Sequence, residues 1–219
     1  MYSVNIDKLM DIGSEKRESL VQTAHNITEV LSQGKSVAVI GGKVDTFRIA
    51  YSIMEAGNKV LLVDGDITSD VFLGKYKLGK NARGVMDYLK NPDEDYELVC
   101  VTNHKELDII FTGITEDGIV TQEEKEAFRK LLDKYNQNYD YIVVDSDDTG
   151  ILAEYCAETV IIQDVKNYSI DDTNALVKRL EQNGCNVAGV ILLFLLSLIS
   201  AFILLFLLSL ISAFILLFL

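Results

Sequence analysis

The chain is poor in the residues that build metal centres and disulfide frameworks. It has three cysteines (Cys100, Cys156, Cys185) and two histidines (His25, His104) in 219 residues. They share no ligand or disulfide spacing, which argues against a zinc site. Isolated cysteines suit a reducing cytoplasm and read as small core residues. Basic charge is also scarce: 20 Lys and Arg stand against 33 Asp and Glu, for a net charge of −13. A nucleic-acid binder shows a basic face, so no nucleic-acid partner is expected, and the acidity reads as a solvated surface. Proline is limited to Pro92. The opening Met1-Tyr-Ser-Val-Asn-Ile-Asp has neither a basic start nor an apolar stretch, so no signal peptide is expected.

What is present is an alternation of apolar runs and helical patterns. The chain is 49% hydrophobic, enough for one domain with a substantial core. Val37–Ile40, Val60–Val63, Leu107–Phe111, Tyr141–Val144, Thr159–Ile162 and Val187–Leu192 are short apolar runs that suit buried strands. Between them, helices are expected over Ser14–Leu31, Phe47–Ala56, Gly84–Leu89, Thr121–Tyr135 and Ser169–Asn183. Gly34, Gly57 and Gly184 act as stop signals. Thr121 with Glu124 three residues on is a capping box. Lys75–Arg83 is basic and contains glycine, so it reads as a loop. The expected fold class is α/β, a mostly parallel central sheet with helices on both faces, over residues 1–192.

Residues 193–219 read as a separate apolar tail. Ile191–Phe202 recurs unchanged as Ile203–Phe214, and Ile215–Leu219 begins a third copy. The run is long enough to form a helix across a bilayer, and Lys178 and Arg179 before it would keep the globular part cytoplasmic. Packing does not call for an identical twelve-residue repeat. It also fits recent duplication, or a frameshift or assembly error through a short DNA unit.

The chemistry gathers at three strand ends: Ile40-Gly-Gly-Lys43, Val63-Asp-Gly-Asp66 and Val144-Asp145. Ligands of such sheets bind at the carboxyl ends of strands. A phosphate-binding loop needs inward-pointing backbone N–H groups, a lysine and a hydroxyl for magnesium, usually spaced G-x-x-x-x-G-K-[S/T]. Gly41, Gly42 and Lys43 supply glycines and lysine, but the loop is several residues short and Val44 stands where the hydroxyl belongs. Asp45 would set negative charge beside phosphate. Two readings stay open: a plain strand-to-helix turn, or residual nucleotide binding. Asp64 and Asp66 could hold magnesium or orient a hydroxyl, or form an Asp-Gly-Asp turn. Asp145 is the expected second acid of a magnesium shell, with Asp147 and Asp148 adding charge nearby. Carboxylates this close should raise one another's pKa.

The order of these segments resembles the bacterial tyrosine kinases of capsule and exopolysaccharide synthesis, within the deviant P-loop ATPases that also include septum- and partition-positioning ATPases. The likeness runs from about Ser14 to Leu192. It takes in Arg48-Ile-Ala50, Gly57-Asn-Lys-Val60, Gly84-Val-Met-Asp-Tyr-Leu89, Leu107–Gly113 and Asn186–Leu192. The resemblance implies a P-loop NTPase-like fold, with ATP and magnesium as cofactors. Gly41, Gly42 and Lys43 would bind the nucleotide, Asp64 and Asp145 the metal, and Asp64, Asp66 and Asp145 would support phosphoryl transfer to tyrosine. It also implies a membrane-embedded chain-length or co-polymerase partner, ring-like homo-oligomers and a place at the cytoplasmic face of the cell membrane.

The chain departs from that pattern in its short loop and in Ile67-Thr68-Ser69 after Asp66, where an arginine is expected. Asp147 and Asp148 replace two prolines, the E-x-x-R-x-x-R motif near Glu15 and Arg17 is broken, and no tyrosine cluster ends the chain. The leading expectation is therefore a degenerate kinase-like domain acting through binding. The alternatives are an active ATP-dependent tyrosine autokinase and a septum- or partition-type positioning ATPase.

Overall fold

The computed structural model describes residues 2–10, 12–31, 34–68, 83–113 and 120–193. The apolar tail from residue 194 and most of the expected basic loop, residues 75–82, lie outside these. Among the described residues eight strands form one sheet: β1 (Tyr2–Val4), β2 (Ser36–Ile40), β3 (Val60–Asp64), β4 (Val99–Thr102), β5 (Leu107–Ile110), β6 (Tyr141–Ser146), β7 (Glu158–Asp164) and β8 (Val187–Leu193). Among the described residues the α-helices are α1 (Ser14–Val30), α2 (Lys43–Glu55), α3 (Val85–Lys90), α4 (Gln122–Tyr135) and α5 (Ile170–Gln182).

The strand order is β1-β4-β5-β3-β6-β2-β7-β8. Every pairing is parallel except β4 with β5. The central strands β2, β3 and β6 are apolar along most of their length and buried at all but one position, because helices cover both faces. Alternate residues go to opposite cores. Ala38, Leu61, Val63, Ile142 and Val144 pack with Phe128, Leu131 and Leu132 of α4. Val37, Val39, Leu62 and Val143 pack with Leu20 and Ile27 of α1 and with Phe47, Ile49 and Ile53 of α2. The expected α/β class with a mostly parallel, two-faced sheet is therefore what the chain adopts.

Two local differences have physical causes. Helix α2 begins at Lys43, not Phe47. Gly42 takes the extended N-cap conformation, and Asp45 in the first turn complements the helix dipole, so no apolar residue is needed there. The edge strand β1 and its neighbour β4 were not expected, being only three and four residues long. Thr121 and Glu124 do form the capping box of α4.

Candidate functional site at the carboxyl edge of the sheet

Three adjacent parallel strands deliver the site. Asp64 ends β3, and its register partner on β6 is Asp145. Asp145 also pairs with Val39 of β2, the strand that leads into Gly41 and Gly42. Sheet register alone thus puts the two acids side by side, with the start of α2 beside them.

Lys43 fills the space between the acids. Its Nζ donates to Asp64 Oδ1 at 2.8 Å and to the Asp66 backbone carbonyl at 3.3 Å. It lies 3.4 Å from Asp66 Oδ2 and 3.9 Å from Asp145 Oδ2. The Lys43 side chain is only 9% exposed, and those of Asp64 and Asp145 are 1% and 2% exposed. Asp64 Oδ2 and both Asp145 carboxylate oxygens are buried with no hydrogen-bond partner. Burial, with the Asp64 charge adding to it, pushes the Asp145 carboxyl up to about 7. Burial also raises Asp64, against the pull of Lys43.

The other acids at this edge are committed to turns and surface pairs. Asp66 Oδ1 accepts from the backbone N–H of Thr68 at 2.9 Å, so the Asp-Gly-Asp turn forms while Asp66 also faces Lys43. Asp147 accepts from the Thr149 N–H at 2.9 Å, and Asp148 pairs with Arg179 at 2.9 Å. Asp45 is held by Lys16 at 3.0 Å and Arg48 at 3.3 Å.

Sequence reasoning missed three contributors. Thr46 is fully buried one turn into α2, where its hydroxyl donates to the Gly42 carbonyl at 3.4 Å and its presence lowers the Asp145 carboxyl. Thr112, also fully buried, lies just past β5 and lowers Asp64. Gly65 lets β3 and β6 close up: its N–H donates to the Asp145 carbonyl at 3.0 Å, and a Cβ there would sit 3.0 Å from that oxygen. An i, i+3 spacing from Lys43 could have flagged Thr46. Nothing local marks Thr112, because only sheet order brings β5 beside β3.

The strand-to-helix connection is Gly41-Gly42 alone, since β2 ends at Ile40 and α2 starts at Lys43. Neither glycine has a positive φ, and Gly42 is extended at φ −83° and ψ 127°. The alternating conformations that make an anion nest are therefore missing from this turn. A Cβ on Gly41 would lie 3.0 Å from the Ile162 carbonyl of β7, so that glycine serves strand packing. The cavities beside the turn measure about 180 and 230 Å³, below the roughly 300 Å³ where ligand pockets begin.

Magnesium needs oxygen ligands at about 2.1 Å and keeps several waters. Here an ammonium occupies the centre of the acid group, and the unpartnered oxygens are closed to solvent. As arranged, the residues do not fit that ion. Among the described residues no cluster of His, Cys, Asp or Glu is arranged as a metal site.

A mostly parallel sheet with acids at neighbouring strand ends, and a glycine–lysine turn beside them, defines a nucleotide-binding-type α/β domain of the P-loop class. The chain belongs to the AAA domain family, which it matches over residues 40–186, and it is similar to bacterial tyrosine-protein kinases. It is 25% identical over 158 residues to the tyrosine-protein kinase CpsD of Streptococcus pneumoniae serotype 4, covering 69% of this chain and 70% of that protein. Its fold is similar to the kinase domain of the Escherichia coli tyrosine kinase ETK, with a TM-score of 0.66 and 19% identity over 80% of this chain and 74% of that one. The MinC:MinD cell division complex of Aquifex aeolicus shares the fold at a TM-score of 0.55 and 19% identity, over 72% of this chain and 68% of that one. The family suggests ATP and magnesium as ligands. Among the described residues no helix is long and apolar enough to cross a membrane.

Proposed function

We propose that this chain is a tyrosine-kinase-like domain that acts through binding, not phosphoryl transfer, in the assembly of a bacterial capsule or exopolysaccharide. The observation that carries this reading is the length of the turn between β2 and α2. Phosphoryl transfer depends almost wholly on positioning and on electrostatic stabilisation of the phosphates. Two residues, Gly41 and Gly42, cannot wrap a polyphosphate, and neither holds the left-handed conformation that would turn its N–H inward.

In this reading residues 1–192 form the binding domain and 193–219 an appended apolar tail. The partner is a membrane-embedded co-polymerase of the polysaccharide system, met at the cytoplasmic face of the membrane. Homo-oligomers of the ring-forming kind would have to form without Arg17, whose guanidinium is tied to Glu55 of α2 in the same chain.

An active autokinase is the second reading. It is favoured by the convergence of Asp64, Asp66 and Asp145, the acids that the family uses for metal and phosphoryl transfer. One experiment separates the two. The full chain is titrated with Mg-ATP by calorimetry and incubated with radiolabelled ATP, followed by phosphoamino-acid analysis. The binding reading expects no saturable ATP binding at micromolar concentration and no phosphotyrosine. Micromolar binding lost in Lys43→Ala, or label on any tyrosine, would falsify it.

A further inference from the structure

We propose that the ammonium of Lys43 is the resident cation of the carboxylate site, a tethered charge standing where a divalent metal would have to sit. Loop length plays no part in this inference, so it goes beyond the reading above. It rests on where one nitrogen lies. Lys43 is the first residue of α2, and its Nζ is directed across the strand ends into the acids. It lies 2.8 Å from Asp64, 3.4 Å from Asp66 and 3.9 Å from Asp145. A metal bridging Asp64 and Asp145 would need that same space. The geometry is too tight for both, because metal–oxygen bonds of about 2.0–2.6 Å would bring the ion against the ammonium.

Burial supports the assignment. Asp64 and Asp145 are 0% and 1% exposed, so two carboxylates lie in the interior. Buried charges need a partner, and without one their desolvation is costly. The partner is supplied here by the chain itself, at the first turn of a helix already fixed by Phe47, Ile49 and Ile53 in the core. The oxygens left without a hydrogen bond, Asp64 Oδ2 and both of Asp145, mark how far one positive charge falls short of satisfying the cluster. A pocket of this composition would attract a divalent ion if the ammonium were withdrawn. The lysine therefore both neutralises the site and blocks it.

The test is Mn2+ binding, read by electron paramagnetic resonance and by thermal melting, on the full chain. Three proteins are compared: the unsubstituted chain, Lys43→Ser, and Lys43→Ser combined with Asp64→Asn. The unsubstituted chain is expected to bind no Mn2+ saturably up to about 1 mM, the weak end of biological divalent sites. Its melting temperature should be the same in Mn2+ and in EDTA. Lys43→Ser should melt lower in EDTA, recover with Mn2+ and bind one ion, and the double variant should lose that binding.

Saturable Mn2+ binding by the unsubstituted chain that Asp64→Asn removes would overturn the inference. A folded Lys43→Ser chain that gains no Mn2+ site would overturn it as well. If Lys43→Ser does not fold even in Mn2+, the unsubstituted chain and its Asp64→Asn variant decide the matter alone. Mn2+ bound at these acids would leave the proposal of a non-catalytic domain standing, since that fails only on ATP binding or phosphotyrosine.

Discussion

Asp64 and Asp145 are register partners at the ends of neighbouring strands, and Lys43 supplies the positive charge between them. The excess negative charge makes stability depend on pH. In the folded chain Asp145 keeps its proton up to about pH 7, whereas its ordinary value is 3.8. Between those values the folded state binds more protons than the unfolded one, so the free energy of unfolding falls as pH rises. The contribution is fully present below the ordinary value and is lost as pH passes the raised one. Melting in metal-free buffer should therefore show stability from this group declining between about pH 4 and pH 7. Asp145→Asn removes the titration and gives Asp64 Oδ2 a possible donor. It should flatten that decline and stabilise the chain at pH 8 by at least about 1 kcal/mol, since each pKa unit is worth about 1.4 kcal/mol. A variant less stable at pH 8, with the slope unchanged, would show that the charge on Asp145 is compensated.

At the scale of elements, much was legible in the sequence because it is locally encoded. The capping box at Thr121 and Glu124, the apolar runs of β2, β3 and β6, and the glycine after α2 each follow from a few neighbouring residues. The short strands β1 and β4 were not, because tertiary pairing defines them, and neither was the early start of α2, which Gly42 and Asp45 set without an apolar residue. β1 exists through its pairing with β4, and β4 through an antiparallel pairing with β5. At the site, Asp64, Asp66, Asp145 and Lys43 could be picked from strand ends, but their convergence on one nitrogen depends on register and on the length of the β2–α2 turn.

Gly84 is a second junction set by tertiary approach. A Cβ there would lie 2.3 Å from the Gly113 nitrogen and 2.3 Å from the Phe111 carbonyl, both backbone atoms that cannot swing aside. The same junction carries hydrogen bonds from Val85 N to Phe111 O and from Met86 N to Thr112 O, each 2.8 Å. Gly84→Ala should cost about 1–3 kcal/mol or more in urea unfolding, as overpacking does. Because Thr112 lies beside Asp64, the same substitution should also alter the pH dependence of melting. Gly13→Ala, where a Cβ would meet nothing within 4 Å, serves as the control.

For the whole molecule the deciding quantity is the surplus of acids. With 33 Asp and Glu against 20 Lys and Arg, 13 negative charges stay uncancelled even if every base neutralises one acid. The exposed pairs Arg129–Glu126, Arg179–Asp148 and Arg129–Asp133 are the kind that contribute about 0–1 kcal/mol each. Salt screens both attraction and repulsion, with a Debye length falling to about 10 Å at 0.1 M. Repulsion among the unpaired surplus extends over the whole surface, so it outweighs the loss of a few weak pairs. The buried contacts of Lys43 are screened much less, because water does not reach them. Raising NaCl from about 0.02 to 0.3 M should therefore raise the melting temperature at pH 8. The same field acts on ligands that approach the carboxyl edge, where Asp66, Asp147 and Asp148 line one cavity and Asp45 and Asp164 the other. Any residual affinity for a polyphosphate should then grow with added salt, opposite to the usual behaviour of phosphate sites built on lysine and arginine. A melting temperature that falls with NaCl, together with nucleotide affinity that weakens, would mean that attractive pairs and a basic phosphate cradle govern the edge, and that the acidic reading of this site is wrong.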